Sequence, residues 1–417
     1  MILLLAALLF LTPQQPDRTS ALRFQPFDAG LPRSGQWRNG FAVADMNQDG
    51  LQDLAFGPPR KRRGPPVIFL NERNGRWRQW SEAQFPSLPF DYGAVAAADF
   101  DGNGTNDLAV ASHYTGVTVV LGDGRGTFVP SQEGLIYRAP NAPEGAAPFS
   151  SRAVVAVDWN KDGLMDIAAL SDGPRGGGVQ LGVTVYENLG AAWKPVRSAV
   201  REYVFGDAIA AGYIDGDLLP DLVTASQVTN YPRVLRLSST PEGRLLDRQL
   251  ATSLPASLVH STDLHDFNGD GRDEVVIGYT SATTPKRAVI ELVSFPAAAG
   301  PPRELWSDEG NGKITAVAAG DVNGDGSIDV VAALSDGRLL TFRGDGRNFV
   351  TRDEDIAVPE WRRGCTPYAV RVADLDGDRR DEIIAAFAGE STGCTSGGGV
   401  EVWRAVNAPA KRRSVRR

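Results

Sequence analysis

The most specific chemistry in this chain lies in one nine-residue segment, Asp321-Val322-Asn323-Gly324-Asp325-Gly326-Ser327-Ile328-Asp329. Oxygen-bearing side chains at positions 1, 3, 5 and 9 suit Ca²⁺, which takes about six to eight oxygen ligands. Glycine at position 6 permits a sharp turn, and the backbone carbonyl at position 7 adds another oxygen. EF-hand loops begin in this way but need a glutamate at position 12, where this chain has Ala332 in an apolar run. The segment therefore predicts a calcium loop between two β-strands.

The same loop recurs along the whole chain, at intervals of 53 to 59 residues. We number the loops 1 to 7; they start at Asp45, Asp99, Asp158, Tyr213, Asp266, Asp321 and Asp374. Loop 4 lacks the acidic first residue and the glycine, so we expect it to bind a metal weakly or not at all. Loop 7 has Arg379 in place of the glycine.

The predicted calcium ligands come from the other six loops, with position 7 contributing its backbone carbonyl. Loops 1 to 3 supply Asp45, Asn47, Asp49, Leu51, Asp53, Asp99, Asp101, Asn103, Thr105, Asp107, Asp158, Asn160, Asp162, Leu164 and Asp166. Loops 5 to 7 supply Asp266, Asn268, Asp270, Arg272, Glu274, Asp321, Asn323, Asp325, Ser327, Asp329, Asp374, Asp376, Asp378 and Glu382. Calcium is the one cofactor that the sequence predicts, and we expect its role to be structural.

Short apolar runs on both sides of each loop indicate the elements that position it. One such run, 42–44, precedes loop 1, and 108–111 follows loop 2. A further run such as 117–121 comes next, before a polar and variable segment. Four short strands per unit without a convincing helix predict an all-β fold, a seven-bladed β-propeller. Each calcium loop then lies in the hairpin between the first and second strands of its blade.

The ends of the chain predict three segments. The apolar run 2–11 is too short to span a bilayer, which needs about 20 residues. With the small residues 19–21 behind it, this run predicts a signal peptide over 1–21, the alternative being a frayed apolar terminus. Segment 22–27 reads as a fourth strand that completes the last blade, so the propeller is expected over 22–407. The basic segment 408–417 is expected to be a disordered tail.

Cysteine and charge content bound the environment and the partners. An even cysteine count in an exported chain favours a disulfide between Cys365 and Cys394, with two buried free thiols as the alternative. The chain is 42% hydrophobic and 23% charged, with a net charge of −8. The basic runs 60–63 and 411–417 are therefore read as solvated segments and not as nucleic-acid sites. We expect an extracytoplasmic monomer without a transmembrane span.

The repeats resemble FG-GAP and VCBS repeats, found in the seven-bladed propeller of integrin α subunits and in bacterial extracytoplasmic proteins. Segments 41–45, 53–59 and 121–128 carry this pattern. The resemblance covers nearly everything after the first twenty or so residues. It implies the propeller fold and suggests protein adhesion as one use of it, although fold alone does not specify function.

Motifs of catalysis are absent from the sequence. Only three histidines occur, His113, His260 and His265, and there is no G-x-S-x-G, H-E-x-x-H or P-loop. The ring can bring together carboxylates that are distant in the sequence, so a glycosidase with paired carboxylates remains an open alternative. The sequence therefore predicts an exported calcium-binding propeller that acts as an interaction scaffold for a protein or glycan. The alternative is a lectin or polysaccharide-active enzyme on the same fold.

The ligand is expected on the face opposite the calcium loops or around the central channel. Aromatic residues in the variable segments are candidates for contacting it, although packing between blades is the commoner role of such residues. They are Tyr114, Tyr137, Trp193, Tyr231, Trp306 and Trp361.

Overall fold

The computed structural model describes most of the chain between residues 22 and 406. Within that range it leaves out residues 61–63, 139–143, 146, 174–181, 198–203, 227–233, 241–245, 251, 296–299, 311–312, 348–349, 353–355 and 390–392. The predicted signal peptide and the whole of the basic tail lie outside the described residues.

The strands form seven four-stranded antiparallel sheets, each of which is one blade of a propeller. The first strands of blades 1 to 7 are β2 (Phe41–Ala44), β6 (Val95–Ala98), β10 (Ser151–Val157), β14 (Ala208–Gly212), β18 (Ala256–His265), β22 (Ile314–Gly320) and β26 (Thr366–Ala373). The second strands are β3 (Asp53–Phe56), β7 (Asp107–Ser112), β11 (Asp166–Ser171), β15 (Asp221–Ala225), β19 (Glu274–Ser281), β23 (Asp329–Leu334) and β27 (Glu382–Ala388). The predicted all-β, seven-bladed propeller is confirmed.

The outer half of each blade follows the same order. The third strands are β4 (Val67–Asn71), β8 (Gly116–Gly122), β12 (Val183–Asn188), β16 (Val234–Ser238), β20 (Ala288–Val293), β24 (Leu339–Gly344) and β28 (Gly398–Val406). The fourth strands are β5 (Trp77–Gln79), β9 (Phe128–Pro130), β13 (Trp193–Arg197), β17 (Leu246–Leu250), β21 (Arg303–Asp308), β25 (Val350–Arg352) and β1 (Arg23–Pro26). A single 3₁₀ turn, Glu360–Arg362, is the one helical element in the described part of the chain.

The hydrophobic core lies between neighbouring blades. Ile68 of blade 1, for example, belongs to one buried cluster with Val95 and Leu108 of blade 2. The second strands are buried on both faces, as β7 and β23 illustrate, which explains their continuous apolar sequences. Consecutive first strands contact one another around the axis. The first strands therefore line the central channel. The start of each first strand lies at one end of the channel, and its end lies at the other.

The ring is closed by the N-terminal strand. β1 pairs antiparallel with β28, the third strand of blade 7, so that no blade is left with a missing outer strand. Cys365, just before β26, and Cys394, after β27, form a disulfide in the same blade with an S–S distance of 1.99 Å. Closure and the disulfide therefore stabilise the same blade.

No helix in the described part of the chain is long and apolar enough to cross a bilayer.

Candidate metal centres

Each of the seven loops joins the first and second strands of a blade and is anchored at two positions. The residue at position 2 is a buried apolar side chain, such as Phe100 in loop 2 or Trp159 in loop 3. Position 9 is a buried carboxylate, such as Asp107, that begins the second strand. Oδ2 of Asp107 accepts a hydrogen bond from the amide of Phe100 at 2.7 Å, and Oδ1 accepts one from Gly122 in β8 at 2.7 Å. This arrangement holds positions 1, 3 and 5 together on the surface.

Backbone geometry explains the glycine at position 6. Gly104 in loop 2 has φ of 83°, in the left-handed region, and the corresponding glycines of loops 1, 3, 5 and 6 lie between 82° and 89°. Loops 4 and 7 place Leu218 and Arg379 there, with φ of 67° and 68°. Non-glycine residues pay a steric cost in this region. The two loops that lost the glycine therefore keep the turn at the expense of strain.

Carboxylates converge in loop 2. One oxygen from each of Asp99, Asp101 and Asp107 lies within 4.8 Å of the other two. Burial, together with the neighbouring carboxylates of Asp101 and Asp99, raises the pKa of Asp107 to about 7 against hydrogen bonds that lower it. Three carboxylates so close together repel one another unless a cation lies among them. Loop 2 is thus well suited to a hard divalent cation.

The ninth position behaves in the same way in other loops. Burial raises the pKa of Asp53 to about 7, that of Asp166 to about 6 and that of Glu274 to about 7. Burial also raises the pKa of Asp329 well above its ordinary value. Burying a carboxylate near others is costly without a compensating charge. The recurring cost indicates that the loops are built around a positive charge.

In loop 3 one oxygen of a predicted ligand has no hydrogen-bond partner and is available to a cation. Oδ1 of Asp158 is buried and has no hydrogen-bond partner, whereas Oδ2 accepts a bond from the amide of Gly163 at 3.3 Å. A buried acceptor that is left unsatisfied is uncommon in native structures. Together with the all-oxygen donor set of positions 1, 3, 5, 7 and 9, this acceptor fits a calcium ion.

Loop 7 differs because a guanidinium lies among its carboxylates. Asp374, Asp376 and Glu382 approach one another as closely as the loop 2 carboxylates do. Arg404 in β28 donates through Nε to Oε1 of Glu382 at 2.7 Å, and its Nη2 contacts Oδ2 of Asp376. Two of the predicted metal ligands are thus paired with arginine, and Asp378 pairs with Arg380 at 2.7 Å.

In loop 4 an arginine of the third strand also contacts the loop carboxylates, but it lies at a different position along that strand. Arg236 in β16 is buried; its Nη2 contacts Asp215 of the loop, and its Nε donates to Oδ1 of Asp221 at 2.9 Å. Although burial acts to raise it, the pKa of Asp215 is lowered by hydrogen bonds and by the charge of Arg236. Loops 4 and 7 therefore share two departures from the pattern, a lost glycine and an arginine on the acidic side chains.

The predicted ligands lie in the hairpins between the first and second strands of six blades. In loop 2, and separately in loop 7, the structure places one oxygen from each of three carboxylates within 4.8 Å of the other two. Sequence reasoning missed Arg236 and Arg404, whose signal was a basic residue inside an otherwise apolar third strand. It also missed how loops 2, 3 and 7 are tied to the following blade; in loop 2, for example, the Asn188 side chain of blade 3 donates at 2.7 Å to the carbonyl of Phe100.

Several of the other candidate residues prove to be packed. Trp193 is buried and forms an edge-on contact with Phe100, with ring centroids 5.5 Å apart. Tyr137 and Trp306 are partly buried against inter-blade clusters. Trp361 lies under the guanidinium of Arg33, 4.8 Å from its ring centroid. Tyr231 lies outside the described residues.

The exposed exception is Tyr114, which follows His113 after β7. Its side chain is 63% exposed, and its φ of 74° is unusual for a tyrosine. The His113 ring lies 4.2 Å from that of Tyr114 and 4.5 Å from that of Tyr92. Nδ1 of His113 lies 2.6 Å from Oδ2 of Asp172. Tyr92, His113 and Tyr114 thus form an aromatic cluster in blade 2 on the face opposite the loops, with Asp172 of blade 3 beside it.

His113 does not form a nucleophilic triad with Ser150 and Asp172. The hydroxyl of Ser150 donates to Oδ1 of Asp172 at 2.7 Å, so Asp172 lies between the serine and His113. A serine nucleophile needs its hydroxyl on the histidine. The other two histidines, His260 and His265, belong to β18.

Comparison with known proteins supports the repeat assignment. A profile of the FG-GAP-like repeat matches residues 45–110, 99–169 and 321–385. Integrin alpha-PS3 of Drosophila melanogaster is 33% identical over 79 residues, which are 17% of this chain and 7% of that protein. Integrin alpha-5 of Xenopus laevis is 31% identical over 103 residues, which are 22% of this chain and 10% of that protein. The chain thus matches a tenth or less of these relatives.

Solved structures share the fold over nearly the whole chain. BBS1N, crystallised in complex with ARL6DN, aligns with a TM-score of 0.55 and 13% identity, covering 92% of this chain and 96% of that one. The Dos1 propeller aligns with a TM-score of 0.53 and 12% identity, covering 91% and 95%. Such low identity speaks for the fold alone. The chain is therefore a seven-bladed β-propeller with FG-GAP-like repeats, related over about a fifth of its length to integrin α subunits.

Proposed function

We propose that this protein is an exported, calcium-binding propeller that serves as an interaction scaffold. The observation that carries the proposal is the convergence of Asp99, Asp101 and Asp107 in a loop that recurs from blade to blade. Calcium would fill loops 1, 2, 3, 5 and 6, which keep both an acidic first residue and glycine at position 6. In loops 4 and 7 the arginines would do the same electrostatic work.

Calcium is favoured over other ions by the donor set. The loops offer carboxylate, amide and carbonyl oxygens and no histidine or cysteine, which zinc and copper prefer. A smaller ion such as Mg²⁺ demands near-octahedral geometry and keeps several waters, whereas a flexible carboxylate loop suits Ca²⁺. The ions would fasten each first hairpin, and their role would be structural because every blade carries a similar loop.

The scaffold role rests on the fold and its relatives. Integrin α subunits share the FG-GAP-like repeats over part of this chain. A rigid ring leaves one face to the calcium loops and the other to the variable hairpins, and loops held by a rigid scaffold are where binding residues commonly lie. Export is in keeping with the disulfide between Cys365 and Cys394, because such bonds persist in oxidising compartments.

The test of this function is a calcium titration of the metal-free protein, followed by partner capture. We expect calorimetry to show binding of several calcium ions, and cross-linking on the surface of the native cell to give a calcium-dependent product. Magnesium at the same concentration is the control for a general ionic effect. A protein that binds no calcium, or whose cross-links are identical in chelator, would contradict the proposal.

A second candidate, glycan binding, is favoured by the aromatic cluster of Tyr92, His113 and Tyr114. An exposed tyrosine in a constrained backbone conformation is a typical platform for the apolar face of a sugar ring. We expect a glycan-binding protein to lose its affinity in Tyr114→Ala while keeping its melting temperature. The matched control is Tyr213→Ala, because that tyrosine is also exposed but lies at loop 4. Product analysis of each bound glycan would separate a lectin from an enzyme.

A further inference from the structure

The central channel holds a cavity of about 380 Å³ that all seven blades line. Many of its lining residues lie near the starts of the first strands, for example Arg38 before β2 and Lys313 before β22, whereas Thr262 and Arg371 lie further along β18 and β26. The metal loops follow the ends of the same strands. The cavity is therefore at the end of the channel opposite the loops, on the face that carries the variable hairpins.

The charge of this cavity is opposite to that of the protein. Four basic side chains line it, Arg38, Arg152, Lys313 and Arg371, and they come from blades 1, 3, 6 and 7. Among the described residues of the lining, Asp207 of blade 4 is the one carboxylate, so these residues carry a formal excess of three positive charges. The whole chain carries a net charge of −8. Such a local reversal concentrates anions at the mouth of a channel.

Three of the four basic side chains, those of Arg152, Arg38 and Arg371, are held by contacts with the protein, whereas Lys313 is exposed. Nη2 of Arg152 pairs with Oδ1 of Asp207 at 3.1 Å. The guanidinium of Arg38 lies 4.5 Å from the ring centroid of Tyr368. Nη1 of Arg371 donates to the carbonyl of Val370 at 3.2 Å. Preorganised donors lose less entropy when they bind a ligand, so this ring favours binding over a diffuse surface charge.

Two polar groups in the wall have unused hydrogen-bonding capacity. Thr262 is only 6% exposed, and its hydroxyl has no hydrogen-bond partner. Nε of Arg152 is also buried without a partner. Both residues line the cavity. Buried donors usually have partners. These two unsatisfied donors in the cavity wall therefore point to a ligand that supplies acceptors.

A neutral histidine completes the lining. Burial, together with the charge of Lys313, lowers the pKa of His260 to about 4. Its Nε2 lies 3.0 Å from the hydroxyl oxygen of Thr280.

We propose that the cavity binds a small oxyanion, a molecule bearing carboxylate or sulfate groups that Arg38, Arg371 and Lys313 would clamp. Planar guanidinium groups match the two oxygens of a carboxylate, and a volume of about 380 Å³ is within the range of small-molecule sites. This inference rests on the proposed scaffold function, because it names the ligand chemistry of the face that would do the binding.

The test is calorimetry on the full chain in saturating calcium with succinate, glucuronate, sulfate and uncharged glucose. These anions bind calcium weakly, so they do not strip the loops. We expect the anions to bind, glucose not to bind, and added salt to weaken the binding because charges are involved. Binding by succinate or glucuronate but not sulfate would assign a carboxylate ligand, and binding by sulfate alone would assign an inorganic or sulfated one. If no anion binds, or glucose binds equally, the proposal is overturned.

Variants locate the site within the channel. Lys313→Gln removes an exposed charge, and we expect it to weaken anion binding about tenfold, the scale of one charged hydrogen bond. Thr262→Val tests the buried hydroxyl with little change in volume. Arg125→Gln, an exposed arginine in the hairpin between β8 and β9, is the matched control and should bind like the natural protein. Equal affinity in Lys313→Gln and the natural protein would refute the site.

The two proposals can fail separately. If the loops bind no calcium, the chelator experiment fails while anion binding in the channel is unaffected. If the channel binds no anion, the calcium titration still succeeds. Melting curves of each variant in calcium show that a lost affinity does not come from a lost fold.

Discussion

Loops 2 and 7 contain nearly the same carboxylate cluster and differ in what neutralises it. In both, three acidic side chains place oxygens within 4.8 Å of one another. In loop 7 the guanidinium of Arg404 bonds to Glu382 and Asp376. In loop 2 the equivalent position is Leu121, because Leu121 follows Val120, which pairs with Leu108, as Arg404 follows Trp403, which pairs with Ile383. Leucine brings no charge to its cluster.

If loop 2 binds calcium as proposed, the difference teaches that this hairpin can be neutralised either by a metal ion or by a guanidinium. An arginine on the third strand is a permanent cation, and it frees the loop from the geometry that a metal imposes. Loops 4 and 7, which have the arginine, are also the loops that replaced the glycine at position 6. We therefore infer that the loss of the glycine and the gain of the arginine belong together. In such a loop the arginine would take the place of the metal ion.

Removing calcium should have the largest effect and should divide the loops into two groups. Each occupied site contributes about 2.7 kcal/mol when free calcium is a hundred times its Kd. We expect chelation to lower the melting temperature by many degrees. Hydrogen exchange should increase in the amides of loop 2, such as Gly104, and stay unchanged in loop 7, such as Gly377. Equal increases in both loops would break the comparison.

Substituting Arg404 by leucine should have the next largest effect. Removing one partner of a largely buried ion pair costs about 3 kcal/mol, because Glu382 is fully buried and would lose its counter-charge. We expect Arg404→Leu to melt earlier than the natural protein in chelator and to recover much of that loss in calcium. Denaturant unfolding in both conditions measures this. A loss that calcium leaves unchanged would show that the arginine acts by packing alone.

The smallest effect concerns the backbone at position 6. Arg379 has φ of 68°, and relieving this strain with Arg379→Gly should stabilise the protein by about 1 kcal/mol. The matched control is Gly104→Arg in loop 2, where a Cβ would meet nothing within 4 Å, so that only backbone strain opposes it. That variant should be destabilised by a similar amount. If both substitutions are neutral in calcium, strain plays no part in the difference between the loops.

The loops and the ring could be predicted because their signals are local. Positions 1, 3, 5, 6 and 9 lie within nine residues, and the apolar runs on either side fix the first hairpin of each blade. The completing strand β1 was also accessible, because the last unit ends one strand short. The sequence pattern therefore determines where a metal would bind and which strands hold it.

The arginines could not be predicted because they act across the sheet. Arg236 reaches residues 15 and 21 positions earlier in the chain, and Arg404 reaches residues 22 and 28 positions earlier. Only the register of the third strand shows that they face the loop carboxylates. The channel is a stronger case, because Arg38 and Arg371 are more than 300 residues apart and meet only when the ring closes.

The most direct test of the account is to count bound calcium ions by native mass spectrometry in two reciprocal variants. Leu121→Arg gives loop 2 the arginine of loop 7, and Arg404→Leu combined with Arg379→Gly gives loop 7 the character of loop 2. Relative to the natural protein, we predict one calcium ion fewer in the first variant and one more in the second. An unchanged count in both folded variants would contradict the claim that metal and arginine occupy the same place.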